Sequence, residues 1–197
     1  MVVTLVGDEI RIRSMTGAMS ELQADAARFL QDEQTSVDAF LSERHAEAAL
    51  RQVSRGHLQP RSQAVRVTGS VLDASALLAY LRKEPGGERV LEAIVAGGAV
   101  MTTVNFAEVA TWFTRNGADE AFVRSLRARL VFPLVPVDDD LAIRAALLVP
   151  LTRSVGLSLG DRLCLSLAAR LKAPALTADR HWHEVAQVAG MSVELIR

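Results

Sequence analysis

The sequence predicts an α/β protein: a three-layer α/β/α domain with a mostly parallel five-stranded sheet, preceded by a small β-α-α segment. Three observations predict it. From residue 67 onward, short strand-like apolar runs alternate with longer helical patterns. One or two helices fill each gap between strands, as crossovers between parallel strands require. Before that, one alternating run and two amphipathic stretches are set apart by a basic, acid-free tether.

In chain order, "EIRIRS" places Ile10 and Ile12 on one face and Arg11 and Arg13 on the other, the alternation of a half-buried strand. A helix near Met19 to Asp32 carries Leu22, Ala26, Phe29 and Leu30. A second starts after the N-cap candidates Thr35 and Ser36, with Val37, Phe40 and Leu41 inward. This segment, residues 1–52, is too small to bury itself well alone and is steadier as a dimer or packed on a partner. From Ala48 to Leu72 there is no Asp or Glu, but there are Arg51, Arg55, Arg61, Arg66 and His57. Gly56, Pro60 and "QPRSQ" interrupt any helix there, so residues 53–66 read as a basic linker.

Residues 67–197 form the main domain. Strands are expected near Val67 to Leu72, Ala99 to Thr102, Val131 to Val137, Ala175 to Thr177 and Ser192 to Ile196. Helices are expected near Ala74 to Arg82, Glu88 to Ala96, Phe106 to Arg115, Ala118 to Arg129, Asp139 to Val149, Leu159 to Leu171 and Arg180 to Ala189.

Composition narrows the function. A chain of 197 residues, 50% hydrophobic, buries an ordinary core, and a net charge of −1 gives no global field marking a nucleic-acid or membrane binder. No apolar run approaches the ~18 residues of a membrane span and no signal peptide opens the chain, so a cytoplasmic protein is expected. The single Cys164, inside "LCLSLAARL", reads as a core side chain rather than a disulfide or zinc ligand. Among the 22 cationic residues only Lys83 and Lys172 are Lys. The rest are forks suited to phosphate.

Four acids recur at similar places. Asp73 in "VLDASALLAY" and Asp179 in "LTADRHW" each close a strand and precede a helix; Glu108 in "TTVNFAEVATWF" and Asp161 in "LSLGDRLCLSLA" fall in first helical turns. Each has a capping reading. Asp73 and Asp179 suit N-caps, and Asn105 with Glu108 and Ser158 with Asp161 have capping-box spacing. Taken together they weigh differently, because helices start at the carboxyl edge of a parallel sheet. All four acids then gather on one rim, where open α/β sheets place ligands. Such a set raises its own pKa values unless a cation neutralises it, and an all-oxygen set suits a hard ion such as Mg²⁺ or Mn²⁺. An ion of that kind points to phosphodiester hydrolysis.

These four stretches, in this order, resemble the acidic motifs of PIN-domain nucleases, especially VapC-type toxins of toxin-antitoxin pairs, over residues 67 to 197. The resemblance implies a PIN fold, a Mg²⁺- or Mn²⁺-dependent endoribonuclease acting on RNA, and Asp73, Glu108, Asp161 and Asp179 as catalytic, metal-binding acids. It also implies a homodimer and an antitoxin, in cis or as a separate chain. Ser75 and Thr177 match positions where such domains carry hydroxyls that orient an acid or water, and a local backbone-partner role fits them equally. Asn105 either steers Glu108 or caps its helix. Arg124 and Arg127, with Arg129, are candidates for phosphate contact; Arg82 and Lys83 end the first helix of the domain. Trp112 reads as core, and His181 and His183 as surface or partly packed residues.

The order "EIRIRS", helix, "TSVDAFLSERHAEAAL" resembles a ribbon-helix-helix antitoxin, which implies that two copies pair strands and present Arg11 and Arg13 to operator DNA. The tether arginines Arg51, Arg55, Arg61 and Arg66 are then candidates for self-inhibition, by placing a cation against the acidic rim. An inert extension or a mistaken start site is the plain alternative. Two rivals come from other classes. A receiver-like signalling domain lacks its early acidic pair and late Lys here. A catalytically silent PIN-like module in a DNA-binding repressor has no need of all four acids.

Overall fold

The computed structural model describes residues 1–6, 9–30, 35–50, 69–189 and 191–197. The chain opens on a hairpin. Strand β1, Val2–Val6, pairs antiparallel with β2, Glu9–Arg13, with Val3 opposite Ile12. The expected strand is β2, and β1 is an addition that gives it a partner within its own chain. Helix α1, Met15–Ala26, begins four residues before the expected start at Met19, because Ser14 caps it by accepting from the Gly17 amide at 2.9 Å. Helix α2, Val37–Leu50, follows Ser36, whose hydroxyl accepts from the Ala39 amide at 3.1 Å.

The apolar stripes of α1 and α2 do not pack only on each other. Met19, Leu22, Ala26, Val37, Phe40 and Leu41 are buried in one cluster with Leu77, Val109, Trp112, Phe113 and Leu126 of the following domain. Phe29 lies 4.5 Å from Phe122 and 6.2 Å from Phe113 between ring centroids, and Phe40 meets Trp112 edge to face at 5.4 Å. Phe40 and Phe113 are buried, each worth roughly 1.5–3 kcal/mol relative to exposure, and Phe29 and Phe122 are partly buried. Polar contacts follow the same seam. The Trp112 indole donates to the Thr35 carbonyl at 3.2 Å, Arg82 donates to the Leu30 carbonyl at 2.6 Å, and Glu84 accepts from the Val37 amide at 3.1 Å. Trp112 is therefore core, as expected, and Arg82 holds the N-terminal segment.

The α/β body runs β3 (Val71–Leu72), α3 (Ala74–Leu81), α4 (Gly87–Val95), β4 (Met101–Thr102), α5 (Thr103–Arg115), α6 (Glu120–Arg129) and β5 (Leu134–Val135). It continues through α7 (Asp139–Leu147), the short α8 (Val149–Thr152), α9 (Leu159–Leu171), β6 (Ala175–Thr177), α10 (Trp182–Ala189) and β7 (Val193–Leu195). Every pairing in the body is parallel. The predicted five-stranded sheet is not one continuous ladder: β3, β6 and β7 form a three-stranded sheet and β4 and β5 a pair, joined by a single bridge between Val71 and Val100. Local chemistry explains the short strands. Pro133 and Pro136 bracket β5 and remove ladder donors, trimming the expected Val131 to Val137 strand to two residues. Where β3 and β4 approach, Gly69 meets Gly98 backbone to backbone; a Cβ on Gly69 would fall 1.9 Å from the Gly98 carbonyl oxygen.

Alternation along the strands gives helices on both faces. Val71 and Ala175 point into the cluster with Leu141, Leu163, Leu167 and Trp182, whereas Leu72 and Leu176 point into the one shared with α1–α6. No helix among the described residues is long and apolar enough to cross a membrane.

Candidate functional site

Register brings the first acid to its supports. With Leu72 opposite Leu176, the parallel pairing of β3 and β6 sets Asp73 beside Thr177 at the carboxyl edge. One oxygen of the buried Asp73 accepts from the Ser75 hydroxyl at 2.6 Å, the Ser75 amide at 3.2 Å and the Thr177 hydroxyl at 3.1 Å. Asp73 thus caps α3 and is held as an oriented carboxylate at the same time. Ser75 also accepts from the Ala178 amide at 3.0 Å, and Thr177 from the Asp179 amide at 3.1 Å, so both hydroxyls fill both roles left open by the sequence.

The second and third acids come from α5 and α9. Asn105 does not cap α5; Thr102 does, accepting from the Asn105 amide at 3.0 Å and donating to its side-chain oxygen at 2.6 Å. Glu108 therefore lies in the second turn, not the first, and no Asn105–Glu108 capping box forms. Freed from capping, the Asn105 amide nitrogen faces Asp73 at 3.2 Å, Glu108 at 3.1 Å and the Gly160 carbonyl at 3.2 Å. Ser158 and Asp161 do form the expected capping box. The Glu108 carboxylate packs directly on Gly160, where a Cβ would sit 2.3 Å from Glu108 Oε1.

Arg44 of α2 projects into the centre of this set, its side chain 8% exposed. Its guanidinium lies 3.3 Å from Asp73 and 3.6 Å from Glu108, pairs with Asp161, and donates to the Ser158 hydroxyl at 3.0 Å. The Phe40 ring backs it, 5.0 Å from the guanidinium carbon. Burial alone would lower the Arg44 pKa, but Asp73 and Glu108 outweigh it and the net shift is upward. Burial pushes Glu108 up to about 7; Arg44 opposes this and the Asp73 charge adds to it.

The fourth acid, Asp179, is gripped by two imidazoles. His45, the residue after Arg44, places Nε2 2.6 Å from Asp179 Oδ2, and His181 places Nδ1 2.8 Å from Oδ1. Burial raises the Asp179 carboxyl, yet the contacts with His45 and His181 prevail and hold it below the ordinary carboxylate range.

Three residues of this arrangement are absent from the sequence-based set: Arg44, His45 and His181, the last read as surface or partly packed, which its half-exposed side chain agrees with. The first was legible. Val37, Phe40, Leu41 and Arg44 follow i, i+3, i+4, i+7, so the cation sits on the buried stripe of its helix. The tether candidates Arg51, Arg55, Arg61 and Arg66 lie outside the described residues. Arg124, on the exposed surface of α6, pairs with Glu120 at 2.6 Å and Arg129 pairs with Asp25; Arg127 is exposed on the same helix. Of the two strand arginines, Arg13 pairs with Glu21. Cys164 is buried, as expected, and burial drives its thiol well up.

Buried and partly buried carboxylates converging at the carboxyl edge of a parallel sheet, between helical layers, define an α/β domain built around an acidic site. Residues 70–188 match the PIN domain family, and the chain belongs to it. PIN domains are generally metal-dependent nucleases acting on nucleic acids. The matched span contains all four acids and leaves the segment that carries Arg44 and His45 outside it. A search of curated proteins found no significant match.

Proposed function

We propose that this chain is a metal-dependent endoribonuclease toxin of the VapC type, held inactive by its own N-terminal segment, with Arg44 as the blocking cation. The observation that carries this is the buried guanidinium in contact with Asp73, Glu108 and Asp161 at once. Its charge occupies the carboxylates that a divalent ion needs.

The residues fit such an ion. Asp73, Glu108, Asp161 and Asp179 offer oxygen alone, which suits Mg²⁺ or Mn²⁺, and burial, with the Asp73 charge adding to it, raises the Glu108 carboxyl to about 7 despite Arg44. The bound ion would supply activation of water and neutralisation of charge at the phosphoryl oxygens. The protein's own part is preorganisation. Ser75 and Thr177 fix the rotamer of Asp73, and Asn105 ties Asp73 to Glu108. The self-inhibition assigned from sequence to Arg51, Arg55, Arg61 and Arg66 passes in this reading to Arg44, because it lies on a helix whose apolar stripe is seated on the nuclease body.

The test keeps the chain whole, since deleting residues 1–66 would strip apolar cover from Trp112 and Phe113. Full-length protein and its Arg44→Ala variant are incubated with RNA and Mg²⁺ or Mn²⁺, beside Arg44→Ala combined with Asp73→Asn. Cleavage by Arg44→Ala well above that of the wild type, abolished by Asp73→Asn, is expected. Equal cleavage by wild type and Arg44→Ala would remove self-inhibition from the account.

A further inference from the structure

Beside the acidic set lies a second group of donors with a different chemistry. His45 Nε2, His181 Nδ1 and one Asp179 oxygen lie within 4.8 Å of one another. The two imidazole rings stand edge to face, 4.6 Å apart. An open cavity of about 520 Å³, lined by Asp38, Ser42, His45, Asp179, His181 and Arg197, borders them and gives access from solvent. Two cations also line the cavity: Arg197, which is paired with Asp38 and Glu84, and Arg180, which is exposed.

We infer that His45, Asp179 and His181 form a transition-metal clamp, selective for Zn²⁺ or a similar borderline ion, that fastens α2 over the acidic site. Two imidazoles and a carboxylate are a common zinc donor set, with water completing a tetrahedron. They are a poor set for Mg²⁺, which prefers oxygen and retains its waters. Metal–donor lengths of about 2.0–2.2 Å place tetrahedral donors about 3.3–3.6 Å apart. The 2.6 Å and 2.8 Å contacts, made to different oxygens of Asp179, open by roughly 0.5–1 Å when an ion bound to one of those oxygens replaces the protons shared there.

The clamp rests on the reading of α2 as the blocking element and adds its regulation. Two donors, Asp179 and His181, belong to the nuclease body, and the third follows Arg44 on α2. The complete site exists only while Arg44 is inserted. An ion that binds the closed form through three side chains and the open form through at most two shifts the population toward closed by its differential affinity. It also withdraws Asp179 from the oxygen set.

The experiment uses the full chain without Mg²⁺. Zn²⁺ binding is followed calorimetrically, Co²⁺ by its visible spectrum, and α2 by hydrogen exchange, for wild type, His45→Ala and His181→Ala. One Zn²⁺ per chain, a tetrahedral Co²⁺ spectrum, an affinity loss of at least about tenfold in each variant, and Zn²⁺-induced protection of α2 in the wild type alone are expected. Affinity unchanged by both substitutions, or no Zn²⁺ or Co²⁺ binding at millimolar concentration, overturns the clamp. His181 lies on the body and is exposed, so its variant reports even if His45→Ala perturbs α2. Failure of the two ideas is separable: Zn²⁺ binding lost in His45→Ala supports the clamp even if Arg44→Ala cuts no RNA, which counts against the inhibition alone.

Discussion

The acids of the site are held by two kinds of contact. Asp73 is oriented by Ser75, Thr177 and Asn105, neutral groups of the α/β body itself, and Arg44 of α2 reaches it as well, at 3.3 Å. Asp161 and Asp179 meet α2, through Arg44 and His45, while Glu108 is shared between Asn105 and Arg44. The first kind is preorganised wherever α2 sits. The second kind is supplied by groups borrowed from α2, of which Arg44 has to leave before Mg²⁺ or Mn²⁺ enters. Neutral donors orient a carboxylate without cancelling its charge, whereas a guanidinium cancels it.

Substitutions at the two kinds of contact therefore differ in effect. Arg44→Met keeps much of the aliphatic packing but leaves buried carboxylates unpaired, and removing one member of such a cluster costs about 3–5 kcal/mol. Thermal unfolding of the metal-free variant is expected to show this loss, and Mn²⁺ is expected to restore more stability to the variant than it adds to the wild type. Equal responses of the two proteins to Mn²⁺ would contradict the comparison.

Among the neutral contacts, Thr177→Val deletes one hydrogen bond to Asp73 and leaves the Asp179 amide without its acceptor, at a cost of about 1–2 kcal/mol. Because Arg44 and Thr177 share Asp73, chemical denaturation should find a different loss with and without Arg44. The same loss in both backgrounds would show that the neutral and cationic contacts to Asp73 act independently.

A further effect is pH dependence. Glu108 has its carboxyl raised from the ordinary 4.5 to about 7, so the folded chain holds that proton more tightly than the unfolded one. Its contribution is fully present below about pH 4.5 and is lost as pH rises toward 7. In the metal-free chain, the difference in melting temperature between wild type and Glu108→Gln should therefore change across that window, with the wild type losing ground as pH increases. A flat difference would show that Glu108 titrates normally.

Much of the rim was legible from its pattern. Strand, acid and helix in succession place Asp73 and Asp179 whatever the strand lengths, because a parallel sheet sends every strand end to the same edge. What was missed depended on competition between neighbours. Asn105 has the spacing of a cap, but Thr102, three residues earlier, caps the helix by accepting from the Asn105 amide itself. Arginines are dense in the tether, but the cation that meets the acids is carried by the apolar stripe of α2, as Arg44. Val2 to Val6 escaped notice as a strand, although Gly7 and Asp8 separate two strand-forming runs in the manner of a hairpin.

The central claim is that Arg44 and a divalent ion compete for the same carboxylates. Its most direct test is Mn²⁺ affinity measured by calorimetric titration of the full-length wild type and of Arg44→Ala at one pH and ionic strength. The account predicts binding at least about tenfold tighter in Arg44→Ala, the loss of one buried competing charge. The same affinity in both proteins would contradict it.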